Sequence, residues 1–257
     1  MRSILAPRNR PVLDQFAFSN VVVAFDYDGT LAPIVDAPER AAMRPRTGQL
    51  LAALAELYPC IVISGRAESD TRSRLRGIRL RGVIGNHGVE AWKGVNGFEY
   101  EVRRWRPLLD RQLAGHPGVT LEDKTYSIAI HYRRSRAKRQ ARAAALRAAS
   151  RLGAVRIVGG KQVVNVLPRN APNKGDALER ERERLSCDTA IYVGDDETDE
   201  DVFALDQPGR LLTIRVGAKR MSRADYCIRD QRQIDRLIAS LAELRRRLRP
   251  SRARARG

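Results

Sequence analysis

The stretch Val21-Val22-Val23-Ala24-Phe25-Asp26-Tyr27-Asp28-Gly29-Thr30 decides how the rest of the chain is read. Its consecutive apolar residues describe a strand buried on both faces, as in a parallel sheet. The run ends abruptly in two carboxylates spaced i, i+2, followed by Gly-Thr. In open α/β sheets ligands sit outside the carboxyl ends of the strands, so both aspartates arrive where chemistry is usually done. Alternation along an extended chain aims Asp26 and Asp28 the same way and Tyr27 elsewhere. Gly29 permits a sharp exit, and Thr30 brings a hydroxyl close to the carboxylates. Two like charges a few ångströms apart repel by roughly 4 kcal/mol at an effective dielectric near 20. A divalent cation is the usual compensation. The plain alternative is an Asp-Gly turn in which Asp26 caps the next element.

Upstream, residues 1–20 are mixed and contain Pro and Arg, which reads as an arm and a short lead-in. Downstream, a loop from Pro33 to Pro45 precedes Leu50, Leu51, Leu54 and Leu57, spaced for a helix against the sheet. Cys60-Ile61-Val62-Ile63 is a second buried strand, ending in Ser64-Gly65-Arg66. A strand-terminal hydroxyl before a helix start can meet a phosphate oxygen. It can equally serve as an N-cap. Val83-Ile84 leads into the polar loop Gly85-Asn86-His87-Gly88-Val89-Glu90, which is either functional or a structural turn.

From about Gly94 the strand–helix rhythm changes. Tyr126 to Tyr132 alternates like a strand with one exposed face, and Val163 to Leu167 is a further candidate, with an Arg/Ala helix at roughly 136–152 between them. This predicts an α+β insert, residues 95–168, over a Rossmann-like parallel-sheet core made of residues 1–94 and 169–257. Between Lys124 and Gly175 there is no Asp or Glu at all. Part of such a run is a solvated face; its length also suggests a basic surface facing an anion.

The rhythm resumes at Asn173-Lys174-Gly175, where Lys174 precedes a helix expected from Asp176 to about Leu185. An ammonium near a positive helix N-terminus suits a phosphate and is poor for an unpaired lysine. The strand Ala190 to Gly194 then runs into Asp195-Asp196-Glu197-Thr198-Asp199-Glu200-Asp201, six acids in seven residues within a chain of formal net charge +18. The helix dipole accounts for part of that cluster. Hard-cation coordination by carboxylates accounts for more. Leu211 to Val216 is another strand, residues 231–248 form an amphipathic helix, and the Arg-rich tail from Arg245 reads as disordered.

At 257 residues and 43% apolar content the chain can bury a sizeable core. It has no apolar run of membrane-span length and no signal-peptide-like region before Asp26. Cys60, Cys187 and Cys227 lack metal or disulfide spacing, which predicts buried reduced thiols and a cytoplasmic location. The excess of Lys and Arg, 48 against 30 Asp and Glu, favours anionic partners, either phosphorylated metabolites or nucleic acid.

Four features thus stand in one order: Asp-x-Asp-Gly-Thr, a strand-terminal Ser, a helix-leading Lys, and Gly-Asp-Asp-x-Thr-Asp. That set resembles the haloacid dehalogenase superfamily of phosphohydrolases. Asp26 to Pro33, Ser64-Gly65-Arg66, Gly85 to Glu90, Glu122-Asp123-Lys124 and Gly194 to Phe203 are similar to the trehalose-6-phosphate phosphatase family within it. The resemblance spans about residues 20–230 and implies a phosphosugar phosphatase with Asp26 as nucleophile and Asp28 as general acid and base. It implies Mg²⁺ held by Asp26, Asp28 and Asp195 with support from Asp196 and Asp199. Ser64 and Lys174 would hold the phosphoryl oxygens. Substrate contacts would come from Thr30, Gly65, Arg66, Asn86 and His87. In the cap they would come from Glu122, Lys124, Arg133 and Lys161, with Asn165.

One departure stands out. Where the family commonly carries Glu and then Arg before a proline, this chain has Asn165 and Leu167 before Pro168. A neutral amide cannot match the charge-assisted hydrogen bond of a carboxylate. A different phosphosugar, of the sucrose or glucosylglycerol phosphate type, therefore stays open beside trehalose 6-phosphate. A nucleic-acid-binding role, suggested by the net charge, has few aromatics for base stacking beyond Tyr126 and Tyr132. No specific nucleic acid and no membrane are expected as partners.

Overall fold

The structure, a computed structural model, describes residues 1–35, 37–92, 96–160 and 162–248. The elements before the insert are β1 (Arg2–Ser3), α1 (Arg10–Phe18), β2 (Val21–Phe25), α2 (Pro45–Ala55), β3 (Cys60–Ile63), α3 (Glu68–Arg74) and β4 (Gly82–Ile84). The insert contains α4 (Asn96–Leu113), β5 (Thr120–Asp123), β6 (Ile128–His131), α5 (Lys138–Ser150), β7 (Val155–Gly160) and β8 (Val163–Pro168). The chain then returns through α6 (Lys174–Arg184), β9 (Thr189–Gly194), α7 (Glu200–Phe203), β10 (Leu211–Val216), β11 (Tyr226–Ile228) and α8 (Ile234–Leu248).

Seven strands form one parallel sheet in the order β1-β11-β10-β9-β2-β3-β4. The chain leaves β2 towards β3 on one side and comes back to β9 on the other. The crevice outside β2 and β9 is therefore the topological switch point of the sheet. All five residues of β2 are fully buried, and they divide by parity. Val21, Val23 and Phe25 join the apolar cluster beneath α1, α2 and α8, whereas Val22 and Ala24 join the cluster with Ala177 and Leu178 of α6. Continuing the alternation, Tyr27 falls in the first cluster and Asp26 points towards the α6 side. Burial of both faces by helical layers is why the strand has no polar residue until its carboxyl end.

The insert is a four-stranded antiparallel sheet, β5-β6-β8-β7, backed by α4 and α5. Here the period of two separates core from cavity. Ile128 and Ile130 of β6 and Val164 and Val166 of β8 pack with Trp105, Leu109 and the small residues Ala141, Ala145 and Ala149. Their neighbours in sequence, Ala129 and His131 on β6 and Val163 and Asn165 on β8, occupy the opposite face.

Several elements differ from the expectation. Residues 10–18 are a helix: Pro11 starts it, and Leu13, Phe16 and Ala17 bury its short apolar face. Helix α6 begins at Lys174, because the Asn173 side chain accepts from the Gly175 and Asp176 amides while Asp176 accepts from the Asn173 amide, a reciprocal cap. The loop 85–90 is a pair of tight 3₁₀ turns with His87 and Gly88 in the left-handed region. Helix α8 runs to Leu248, where the 231–248 helix pattern ends, so the Arg-rich tail expected to be disordered from Arg245 is helical over its first four residues. Arg245 stacks on Tyr58 at 4.8 Å and donates to the Ala17 and Ser19 carbonyls. The rest of the tail and Lys161 lie outside the described residues. Among the described residues no helix is long and apolar enough to cross a membrane.

Candidate active site

A cavity of about 650 Å³ lies between the carboxyl ends of the parallel strands and the open face of the insert sheet. Its floor is built from the ends of β2, β3 and β9 and the start of α6. Lys174, first residue of α6, is 1% exposed and donates to Asp26 Oδ1 at 2.7 Å and to Asp199 Oδ1 at 2.7 Å. Burial works against an ammonium, but the Asp199 and Asp26 carboxylates more than offset it, so Lys174 stays charged above the ordinary lysine range.

Asp199 is hydrogen-bonded on every side. Its Oδ1 also accepts from the Tyr192 hydroxyl at 2.7 Å, and its Oδ2 accepts from the Asp195 and Asp196 amides at 2.8 Å each. With its lone pairs so occupied, Asp199 organises the acidic loop. Among the described residues, one carboxylate oxygen each of Asp26 and Asp195 accepts no hydrogen bond. One oxygen of each of Asp26, Asp195 and Asp199 falls within 4.8 Å of the others. Burial first, against the pull of Lys174 and with repulsion from Asp199, pushes Asp26 up to about 8; burial and repulsion from Asp26 and Asp199 push Asp195 up to about 9. A site of oxygen donors with more carboxylates than the single Lys174 can balance fits a hard divalent cation. Gly29, at φ +90°, lets the turn pass beneath Asp195: a Cβ there would lie 2.1 Å from Asp195 Oδ2. Thr30 donates to Asp195 Oδ1 at 3.4 Å. Its neighbour is thus Asp195.

Asp28 reaches the same cavity with a different partner. The chain turns after Asp26, with the Ala32 amide bonded to the Tyr27 carbonyl, and this aims Asp28 at Arg66. Arg66 donates Nε to Asp28 Oδ2 at 2.5 Å and Nη2 to Asp28 Oδ1 at 2.8 Å, and also contacts Asp70 at 2.8 Å. Ser64, fully buried, accepts from the Arg66 amide at 3.2 Å, leaving its hydroxyl proton to donate elsewhere.

The roof comes from the insert sheet. Glu122 and Lys124 share a face at the end of β5, and Glu122 Oε2 lies 2.7 Å from His131 Nε2. That hydrogen bond holds the Glu122 carboxyl below its usual range. Lys124, pulled below the ordinary lysine range by burial, donates to the Gly65 carbonyl at 3.1 Å. Arg133 donates to the Val35 carbonyl at 2.9 Å. Asn165 sits at the inner end of the roof beside the buried His87 ring and is the polar side chain that opposes its loss of charge. Burial, then Lys124, Lys174 and Arg156, keeps His87 well below the ordinary histidine range and so neutral.

The expected residues divide clearly. Asp26, Asp28, Lys174, Asp195 and Asp196 line the floor, Gly65, Arg66 and His87 one wall, and Glu122, Lys124, Arg133 and Asn165 the roof. Thr30, Ser64 and Asp199 stand behind the lining. Asn86 is engaged elsewhere: its amide nitrogen donates to Glu90 and to the Lys124 carbonyl, and its oxygen accepts from Ser127. It joins the insert to the core. Leu167 is fully buried with Val89 and Ala171, away from the cavity. Three residues fall outside the sequence expectation: His131 on the roof, Tyr192 beneath Asp199, and Arg74, which lines the cavity and donates to Asp70 at 3.0 Å. For His131 the signal was available, because it shares the parity of Ala129 and Asn165 across the paired strands.

A family model described as trehalose-phosphatase matches residues 24–224, which contain every wall of this cavity. The chain belongs to the trehalose-phosphatase family. It is similar to the trehalose-phosphate phosphatase of Mycolicibacterium paratuberculosis, 36% identical over 207 residues that make up 74% of this chain and 52% of that protein. It is 33% identical over 199 residues to the protein of the same name from Mycobacterium tuberculosis H37Rv, covering 70% and 50% of the two chains. The chain thus spans about half the length of the curated relatives it matches. The C-terminal domain of C. albicans trehalose-6-phosphate phosphatase superposes with a TM-score of 0.76 at 23% identity, covering 91% of this chain and 97% of that one. The sucrose-phosphatase of Synechocystis sp. PCC6803 has the same fold at lower similarity, with a TM-score of 0.57, 15% identity and coverage of 88% and 98%.

Proposed function

We propose that this chain hydrolyses trehalose 6-phosphate with the help of Mg²⁺, through an aspartyl phosphate on Asp26. The observation that carries the reading is Asp26 held by buried Lys174 beside Asp195, directly below a roof bearing Glu122, Lys124 and Arg133. A carboxylate oxygen of Asp26 attacks phosphorus, and the departing sugar oxygen takes a proton from Asp28. Water then gives a proton to Asp28 and attacks the same phosphorus, releasing phosphate and free Asp26. Ser64 and Lys174 donate to the phosphoryl oxygens throughout. Asp26, Asp195 and the Asp28 main chain, with Asp196 nearby, would hold Mg²⁺, which would supply neutralisation of charge on the phosphoryl group. Asp28 can carry a proton only when it no longer accepts both Arg66 bonds. Arg66 already contacts Asp70, so it has a second carboxylate to turn to.

Residues 95–168 act as a cap whose basic groups draw in a dianionic substrate and whose closure excludes water. A second reading, hydrolysis of another phosphosugar, is favoured by one observation: Asn165 lines the cavity as a neutral amide beside a neutral His87, and Leu167 is in the core. The three buried free thiols fit a reducing cytoplasm. The test is phosphate release from a panel of phosphosugars with Mg²⁺ and with chelator. Preference for trehalose 6-phosphate and loss of turnover in chelator are expected. Preference for another sugar selects the second reading, and indifference to chelator removes the metal from the mechanism.

A further inference from the structure

A buried cation beneath the acidic loop is used by none of the steps above. Arg215 lies on β10, in register with Gly194 of β9, and is 6% exposed. Its Nη2 donates to the Asp195 carbonyl, and its Nη1 donates to the Asp196 carbonyl at 3.3 Å and to Glu200 Oε1 at 2.9 Å. Glu200 is itself fixed, since its Oε2 accepts from the Arg223 amide at 2.9 Å.

The same two loop residues are held at their amides by Asp199 Oδ2, at 2.8 Å each. Their N–H groups are therefore fastened by an anion and their carbonyls by a cation. A peptide bonded in both senses cannot rotate without breaking a charge-assisted hydrogen bond. Its side-chain direction is then set by the backbone, and for Asp195 that direction is over Gly29 towards Asp26. A guanidinium suits the task, because its fork can meet two carbonyls and a carboxylate together.

We infer that Arg215 is a positioning residue for the divalent-cation site: by holding the Asp195 and Asp196 carbonyls it aims Asp195 and sets the affinity of the site. The inference rests on the cation reading proposed above. A purely stabilising role, the burial of an Arg–Glu pair, needs only the contact with Glu200.

The test is calorimetric titration of the metal-free protein with Mn²⁺, alongside thermal unfolding. Arg215→Met should raise the Mn²⁺ dissociation constant about 10- to 100-fold, the usual range for losing a group that orients a ligand. Arg215→Lys should recover part of the loss. In turnover, the cation concentration for half-activity should rise much more than kcat at saturating cation falls. Glu200→Gln keeps Arg215 and weakens its anchor; it should give a smaller rise, and it carries the test should Arg215→Met not fold. A folded variant whose dissociation constant stays within about two-fold of wild type while its melting point falls overturns the inference and leaves a structural role. Wild-type protein that binds no Mn²⁺ removes the cation reading itself, and this inference with it.

Discussion

The floor and the roof of the cavity use similar side chains, yet they are bonded to different extents. At the base of the floor Lys174 and Asp199 are saturated by their neighbours: Lys174 by two carboxylates, Asp199 by two amides, a hydroxyl and an ammonium. On the roof the Glu122 side chain is 52% exposed, His131 is 30% exposed, and both open onto the cavity. A closed network in a dry site is rigid and electrostatically strong. A half-open row of donors and acceptors has bonding capacity left for a ligand. The difference teaches a division of labour, with phosphoryl chemistry fixed below and sugar recognition above.

Breaking the floor should have the largest effect. Asp26→Asn is expected to lower turnover by at least about four orders of magnitude, as removal of a nucleophile does. Circular dichroism should show the fold intact, and appreciable phosphate release by this variant would remove the nucleophile assignment. Next in size is Lys174→Met, which leaves Asp26 and Asp199 buried without their cation. Urea unfolding should show a loss of about 3–5 kcal/mol, the usual range for orphaning a buried charge. A loss under about 1 kcal/mol would mean that the floor is wetter than its burial indicates.

The smallest effect concerns the joint between the two regions. His87 is held neutral in the fold, while the unfolded chain takes up a proton as pH falls below about 6.5. Its contribution is therefore present above that value and lost as pH falls through it. His87→Asn keeps a residue that tolerates φ +56° and has nothing to protonate. Between pH 7 and 5 its melting point should fall by about 4–8 °C less than that of the wild type, corresponding to about 2 kcal/mol in a chain of this size. Parallel curves would show that His87 is hydrated and free to charge.

The residues that made the core legible were those with a simple period. Val21 to Phe25 could only be a strand covered on both faces, and that put Asp26 at its carboxyl end. Alternation also separated Ile128 and Ile130 from the cavity face of the insert. What escaped depends on contacts between distant segments. Asp28 and Arg66 meet across 38 positions, and Arg215 comes under the acidic loop from the next strand. Tyr192 looked like one more buried strand residue, yet its hydroxyl reaches Asp199. Strand β7 is not legible in the sequence, because Val155 to Gly160 is half-buried and ends in two glycines and so lacks a clean alternation.

The most direct test of the division between floor and roof is the ratio of kcat/KM on trehalose 6-phosphate to that on a small aryl phosphate. It should be measured for the wild type, Glu122→Ala, Arg133→Ala and Lys174→Met. Each roof truncation should lower the ratio about 10-fold, since an unpaired sugar hydroxyl costs about 1–3 kcal/mol, while turnover of the aryl ester barely changes. Lys174→Met should depress both substrates alike and leave the ratio near that of the wild type. Equal losses on both substrates for Glu122→Ala and Arg133→Ala would contradict the account, and would make the roof a support for the fold with no part in reading the sugar.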